Sequence, residues 1–142
     1  MGDSISVRRG RPLISDQVIR VGGAIGLPAL LHEHGIDAVA LIAEAGLQAT
    51  VVEDPDHVIR FAKLVELVHL AGKRTGLTDV GLRTCLKTGL AMLGSVGHLV
   101  ANSPTVGAGL ACLQSYLHLH DEGASLCFHQ EGSLAFLGYE VL

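Results

Sequence analysis

The sequence lacks any apolar run long enough to cross a membrane. A spanning helix needs about 18 or more consecutive apolar residues. The longest candidate, residues 89–101, is shorter than that and contains three glycines and two polar side chains. We therefore predict a buried helix over this stretch. The first residues also lack the apolar core of a secretory signal, so we expect no export and interpret residues 1–14 as a flexible lead-in.

Cysteine is scarce, with only three residues in the chain: Cys85, Cys112 and Cys127. They show no short spacing of the kind that metal sites use, and their number is odd. We predict reduced, mostly buried thiols and no disulfide. Cys112 is followed by Leu113 in a helical pattern, which favours an inert core position over a catalytic nucleophile.

Basic charge is also scarce in the part that should fold. Three of the ten Lys and Arg residues (Arg8, Arg9 and Arg11) and one of the fourteen acidic residues (Asp3) precede Leu13. The remaining seven basic and thirteen acidic residues give a charge of about −6 with histidine neutral. Proteins that bind nucleic acid usually present a basic face to the phosphates. We therefore do not expect this segment alone to bind DNA.

What the sequence does have is apolar content. Of its 142 residues, 49% are apolar and 17% are charged, so the chain can bury a substantial core and falls far from the disordered class. This length suits one domain. We assign residues 15–142 to it.

Start and stop signals predict several helices in the first third of the chain. Apolar residues at helical spacing over residues 15–34, interrupted by glycines and a proline, predict two short helices that Gly35 ends. Asp37 is suited to cap a helix over residues 38–45, which Gly46 ends.

Two further helices are predicted downstream. Asp54-Pro55-Asp56 suits the start of a long helix, because aspartate caps the amino end and proline fits the first turn. That helix should end at Gly76 and bury most of its surface. Ser103-Pro104 provides a similar start for a core-packing helix over residues 105–119.

The last part of the sequence changes to a period of two. Leu126 and Phe128 alternate in one segment, Leu134 and Phe136 alternate in the next, and Glu131-Gly132 separates them, which predicts a β-hairpin. The second strand runs to the last residue without a cap or polar tail, so we expect a truncated chain. The predicted class is α+β, a helix-rich amino-terminal part followed by a hairpin that begins a sheet.

Eight histidines raise the possibility of a metal site. His118, His120 and His129 could approach one another, but their spacing is not diagnostic of a zinc site. His32-Glu33-His34 does not match the helical protease motif either. We predict no metal ligand, although a small metal protein built on these three histidines stays an alternative.

Catalytic motifs are incomplete. Around Ser95 a nucleophile-elbow motif fails, because Leu93 stands where the first glycine is needed. The carboxylates of Glu53-Asp54-Pro55-Asp56 are explained by helix capping, and the glycines of residues 22–26 follow no predicted strand and so make a weak phosphate loop. We predict no catalytic residue, no cofactor and no enzyme. An apolar, weakly charged domain of this kind suits a small-molecule pocket or a partner surface.

Several blocks of the sequence, taken in order, carry a resemblance to a known family. The blocks are Ala45-Gly46-Leu47, Glu53-Asp54-Pro55-Asp56, residues 75–83, Leu93-Gly94-Ser95-Val96-Gly97 and Asn102-Ser103-Pro104-Thr105-Val106-Gly107, followed by Leu110, Leu113 and Tyr116. Together they resemble the amino-terminal arabinose-binding-like effector domain of AraC-type bacterial transcription regulators. The resemblance runs from residue 18 to residue 142.

The resemblance implies a cytoplasmic regulator whose sensor domain binds an unidentified small-molecule effector or forms a homodimer. DNA would be bound only by a carboxy-terminal helix-turn-helix domain that is missing here, and no membrane contact is implied. No ligand residue is carried over from the family, so the cofactor and effector site residues stay unknown. A dimerisation module without a small-molecule ligand is the main alternative.

Overall fold

A computed structural model describes residues 17–141, which form an α+β structure, as predicted. The α-helices within this range are α1 (Leu27–Glu33), α2 (Ala38–Glu44), α3 (Phe61–Thr75), α4 (Val80–Leu86), α5 (Ser95–Ala101) and α6 (Val106–Tyr116). The strands are β1 (Val18–Arg20), β2 (Val58–Arg60), β3 (Ala124–Glu131) and β4 (Leu134–Val141). The predicted lead-in over residues 1–14 lies outside the described residues.

The first helix predicted within residues 15–34 is wrong. Residues Val18–Arg20 form strand β1, which pairs antiparallel with β2, and Val21–Ala24 form a short 3-10 helix. The backbone N–H of Val21 also donates to the His57 carbonyl over 2.8 Å. These bonds join segments that lie about 40 residues apart in the chain, and a local apolar pattern carries no information about such a partner. The second predicted helix is present as α1.

Helix α2 forms as predicted. Asp37 Oδ1 accepts hydrogen bonds from the backbone N–H groups of Val39 (2.9 Å) and Ala40 (3.2 Å), which would otherwise have no partner in the first turn. Gly46 follows the helix with φ of 74°. Glycine adopts this left-handed conformation at little cost, so the predicted helix end is confirmed.

The long helix α3 ends as predicted but starts later. Gly76 closes it with φ of 72°. It begins at Phe61, because residues after Asp54-Pro55-Asp56 first form β2 and are held there by β1. The expectation that most of its surface is buried is also wrong. Only Leu67 and Ala71 are fully buried, whereas Val65 keeps 53% of its surface exposed.

The single buried helix predicted over residues 89–101 is wrong. The stretch forms a 3-10 helix, Gly89–Leu93, and then α5, with Gly94 between them at φ of 55° and ψ of −129°. This backbone conformation lies outside the helical region, so the glycine turns the chain. Both pieces keep apolar side chains at the surface, among them Leu99 at 50% exposure.

Helix α6 forms within the predicted residues 105–119, but the expectation that it packs in the core is wrong, because only Gly109 of the helix is buried and Val106 is 81% exposed. Thr105 is its amino-terminal cap, and the Thr105 hydroxyl accepts from the Ala108 N–H over 3.1 Å. The helix tightens into a 3-10 turn at Leu117–Leu119. This turn lies between α6 and the hairpin.

The predicted hairpin is confirmed. Strands β3 and β4 pair antiparallel, with Leu126 opposite Tyr139 and Phe128 opposite Leu137, and Gly132 adopts a positive φ in the turn. Side chains that are directly opposite share one face of a sheet, so these four lie together on one face. Strand β4 is exposed along its described length.

The main core lies in the amino-terminal part of the structure. Its largest fully buried side chains are Val21, Leu27, Leu31, Ile42 and Leu67. Arg20, Asp37 and other polar groups stay at its margin. Within the described residues, no helix combines the length and apolar character that a bilayer crossing requires.

Candidate functional site

An apolar cavity of about 400 Å³ lies between the helical core and the hairpin. Strand β1, helices α3, α4 and α6, and both strands of the hairpin contribute to its wall. Its main apolar side chains are Leu64, Val68, Leu93, Leu113, Leu117 and Leu126. The cavity therefore joins the early and late parts of the chain.

Three polar side chains form part of this wall: His120, Asp121 and Tyr139. His120 is 5% exposed and Asp121 is 2% exposed, which is unusual for groups that are normally hydrated. Buried polar groups are generally retained where hydrogen bonds satisfy them. The partners of these two residues therefore decide what the cavity can bind.

The chain places His120 and Asp121 through the 3-10 turn that follows α6. Their backbone N–H groups both donate to the Leu117 carbonyl, each over 2.8 Å. The His120 carbonyl accepts from the Arg20 N–H over 2.8 Å, and Asp121 forms an isolated antiparallel bridge with Ile19. Strand β1 thus has β2 along one edge and this turn along the other.

Each oxygen of the Asp121 carboxylate accepts one hydrogen bond from the protein. Asp121 Oδ1 accepts from the Gly123 N–H over 2.8 Å, and Asp121 Oδ2 accepts from the Tyr139 hydroxyl over 2.9 Å. Desolvation of the Tyr139 phenol raises its pKa well above the ordinary value, although the residue as a whole is 56% exposed, and the hydrogen bond to Asp121 raises that pKa further. Tyr139 is therefore a stable neutral donor, and its oxygen can still accept a hydrogen bond.

His120 is less well satisfied. Among residues 17–141 its buried Nδ1 has no hydrogen-bond partner. Burial lowers the pKa of the His120 imidazole below its ordinary value of 6.5, so the ring is neutral at pH 7. The ring packs closely on the backbone at Gly22, where a Cβ would lie 3.2 Å from His120 Cε1. His120 is thus a rigid, neutral group with unused hydrogen-bonding capacity.

Arg20 connects this turn to the start of β2. Its Nε donates to the Leu119 carbonyl over 2.6 Å, and its Nη1 lies 3.2 Å from Asp56 Oδ1 and 3.0 Å from the Asp56 carbonyl. Two of its three guanidinium nitrogens, Nε and Nη1, make these contacts. It helps to hold the polar end of the cavity in place.

Of the histidines proposed as metal ligands, only His120 lies at the cavity. His118 is exposed, and His129 is exposed on the other face of the hairpin, where its ring stacks on Phe136 with centroids 4.8 Å apart. The part of the chain that the structure describes contains no group of three His, Cys, Asp or Glu side chains placed to hold a metal ion. The structure therefore does not bring His118, His120 and His129 together into one site.

The burial of the cysteines differs from the prediction. All three are free, but Cys127 is exposed and Cys112 is half-buried. Cys85 is also half-buried and forms part of the cavity wall, where burial raises the pKa of its thiol. Cys85 is a weak nucleophile in this environment. It is nevertheless a useful chemical reporter of the cavity.

Sequence reasoning missed Asp121 and Tyr139. The alternation in β4 places Tyr139 on the same strand face as Leu137, and Leu126 is its neighbour across the hairpin. That signal was present in the sequence. What the sequence does not show is that the hairpin folds back so that its last strand meets the turn at Asp121.

A larger groove of about 700 Å³ runs along α3 and the start of α4. Its rim includes the exposed side chains of Val65, His69, Lys73 and Thr78, so it lies at the surface. No buried polar group like His120 lies in its wall. Because a specific ligand needs fixed polar contacts as well as apolar area, the smaller cavity is the better candidate site.

Comparison with known families is decisive for the class of protein. A model described as the arabinose-binding domain of the AraC transcription regulator, N-terminal, matches residues 35–142. The chain belongs to this family. Most of the cavity wall of this AraC-type domain lies within the matched residues, whereas β1 precedes them. No curated protein matches the chain at a meaningful level. By its description, the family is a regulatory domain of transcription regulators.

Proposed function

We propose that this AraC-type domain binds a small-molecule effector in the cavity beside His120. The observation that carries the proposal is His120, which lies in the wall of a largely apolar cavity beside Asp121 and Tyr139 and whose buried Nδ1 has no hydrogen-bond partner among the described residues. A volume of about 400 Å³ falls within the roughly 300–1,000 Å³ typical of ligand sites. The family description names arabinose.

The position of the cavity links ligand binding to a change in conformation. Its wall combines the core elements β1 and α3 with α6 and the hairpin, so an occupant contacts both parts at once. A ligand shifts a conformational equilibrium only by its difference in affinity for the two states, typically about 1–3 kcal/mol. We infer that binding favours one position of the hairpin against the core. That position would be sensed by a partner chain or by a DNA-binding domain.

The proposed organisation follows from the charge and the family. Residues 15–142 act as an effector-sensing and dimerisation domain in the cytoplasm, and DNA contact belongs to a separate helix-turn-helix domain. The acidic balance of the segment after Leu13 supports this division, because phosphate contact requires basic side chains.

Cavity occupancy can be tested with a matched pair of variants. Leu113→Trp adds a large side chain to the cavity wall, and Leu86→Trp adds the same side chain at a site that is 74% exposed. Native mass spectrometry of the purified chain, with and without denaturation, reports retained organic molecules. The uncharged dye Nile red then reports an accessible apolar site. We expect dye binding by the parent chain and by Leu86→Trp, and at least about tenfold weaker binding by Leu113→Trp. Equal binding by all three would refute the cavity as the site.

Dimerisation is the second candidate function, and the exposed hairpin favours it. Leu134, Leu137 and Val141 are 62%, 57% and 46% exposed, which leaves apolar area on both faces of β4. A two-stranded hairpin is marginally stable without packing against something else, and exposed apolar patches often mark interfaces. Analytical ultracentrifugation of Leu137→Lys, with Leu86→Lys as the exposed control, tests this hypothesis. Dimers in the control and monomers in Leu137→Lys are the expected result.

A further inference from the structure

We propose that the effector is an uncharged molecule with an apolar body and a single hydroxyl group, and that this hydroxyl hydrogen-bonds to the His120 ring. The inference rests on the proposed function, since it assigns a chemical class to the occupant of the same cavity. It follows from the distribution of polar groups in the wall, from the charges around them and from the hydrogen-bonding capacity of a neutral imidazole.

The distribution of polar groups excludes a ligand with many hydroxyls. Apart from the cluster of His120, Asp121 and Tyr139, the side chains of the wall are apolar or the half-buried Cys85 thiol. A buried hydroxyl without a hydrogen-bond partner is destabilising, because it loses its hydration. A free sugar carries hydroxyls on every face and would leave several of them against leucine and valine. The wall instead suits a hydrocarbon body.

The charges around the cluster disfavour an anionic ligand. The Asp121 carboxylate lies beside His120, and Asp56 is the next acidic group that acts on the imidazole. The nearby cation, Arg20, already binds Asp56 and the Leu119 carbonyl. A ligand carboxylate would therefore meet an acidic neighbour beside a cation that is already paired, and the cost of its desolvation would be poorly offset.

An ammonium group is also a poor fit. Its natural partner is Asp121, but both oxygens of that carboxylate already accept a hydrogen bond, from Gly123 and from Tyr139. The neutral His120 ring can accept at most one of the three ammonium N–H groups. The remaining donors would have to share acceptors that already bind Gly123 and Tyr139, and the buried charge would lose its hydration.

A hydroxyl matches what His120 offers. The two nitrogens of a neutral imidazole differ, because one carries the proton and the other is an acceptor. The unpartnered Nδ1 is either a donor or an acceptor, depending on the tautomer. A hydroxyl satisfies both cases, since it donates and accepts, whereas a carboxylate only accepts and an ammonium only donates. The Tyr139 oxygen adds a second acceptor in the same cluster.

The test compares probes of matched size. 1-Octanol is the hydroxyl probe, and heptyl methyl ether has the same number of heavy atoms but can only accept. Octanoate is the anionic probe, octylamine is the cationic probe, and L-arabinose is the sugar probe. Binding is read from the rate of Cys85 alkylation by iodoacetamide in a Cys112→Ala, Cys127→Ala background, because Cys85 lies in the cavity wall. The ¹⁵N shifts of the His120 ring in the otherwise unmodified chain give a readout that needs no variant.

We expect 1-octanol to protect Cys85, to bind about fivefold or more tightly than the ether, and to move the His120 ring resonances. His120→Phe should abolish the preference for the alcohol, while His118→Phe, which replaces an exposed histidine, should retain it. Tighter binding of arabinose, octanoate or octylamine, with Cys85 protected, would overturn the assigned class but leave the cavity as the site. If no probe protects Cys85, the inference and the proposed site both fail.

Discussion

The Tyr139 hydroxyl lies 2.9 Å from Asp121 Oδ2 and donates a hydrogen bond to it. This bond connects the last described strand to the turn after α6, which β1 also holds through Ile19. The hairpin otherwise packs mainly against α6 and that turn. The contact therefore helps to close the cavity, and loosening it should free the hairpin.

Removing this hydroxyl tests that role. Tyr139→Phe leaves the buried Asp121 without one of its two donors, so we expect a loss of about 1 kcal/mol in the free energy of unfolding. Urea unfolding followed by circular dichroism measures it. Tyr116→Phe is the matched control, because within residues 17–141 the Tyr116 hydroxyl makes no hydrogen bond. An equal effect of the two substitutions would contradict a special role for Tyr139.

Burial of His120 predicts a dependence of stability on pH. Its folded-state pKa is lowered from the ordinary 6.5, so below pH 6.5 the unfolded chain binds a proton that the folded chain resists. This contribution to stability is complete above about pH 6.5 and is lost as the pH falls from there through the folded-state pKa.

His120→Gln should flatten this acid-side loss of stability, measured as the urea midpoint at a series of pH values. His118→Gln replaces an exposed histidine two positions away and serves as the control. If both variants follow the parent curve, His120 titrates freely in the folded protein and the site is more hydrated than its burial implies.

Substitution by alanine should destabilise the protein at Gly22 but not at the neighbouring Gly23. A Cβ at Gly22 would overlap the Met92 carbonyl oxygen, whereas a Cβ at Gly23 would meet only the flexible end of the Met92 side chain at 3.9 Å. We expect Gly22→Ala to cost about 2 kcal/mol and Gly23→Ala to change stability by less than about 0.5 kcal/mol. Thermal unfolding of the two variants separates them. Similar melting temperatures would show that the backbone contact relaxes.

The cap of α2 provides a test that depends on local chemistry. Asp37→Ala removes the acceptor for the Val39 and Ala40 N–H groups and should cost about 1 kcal/mol, and Asp37→Asn should recover most of it. Asp79 precedes α4 without making a side-chain cap bond, so Asp79→Ala should cost less. The ranking is measured by urea unfolding. A larger loss from Asp79→Ala would contradict the capping argument.

Local signals in the sequence predicted the features that depend on nearby residues. Asp37, Gly46 and Gly76 mark helix ends because caps and left-handed turns are decided within a few residues. The hairpin follows for the same reason, since its alternation and its glycine turn are contiguous. The order of family blocks predicted the AraC-type family, which the match over residues 35–142 confirms.

Long-range pairing accounts for the errors. Val18–Arg20 carry residues compatible with a helix, yet β2 and the turn at Asp121 hold them as a strand from both edges. Gly94 breaks the apolar stretch 89–101 because the chain must turn there, which the apolar content does not show. In both places, tertiary contacts override the local preference of the backbone.

The candidate site shows the same division. By itself, the sequence determined the apolar composition, the scarcity of basic charge, the helix ends and the hairpin, because each of these depends on residue type or on neighbours in the chain. Only the tertiary structure decided that His120 is buried while His118 and His129 are not, and that Tyr139 reaches Asp121 across the end of a cavity. Burial and hydrogen bonding between distant residues depend on how the elements pack, and that arrangement exists only in the folded chain.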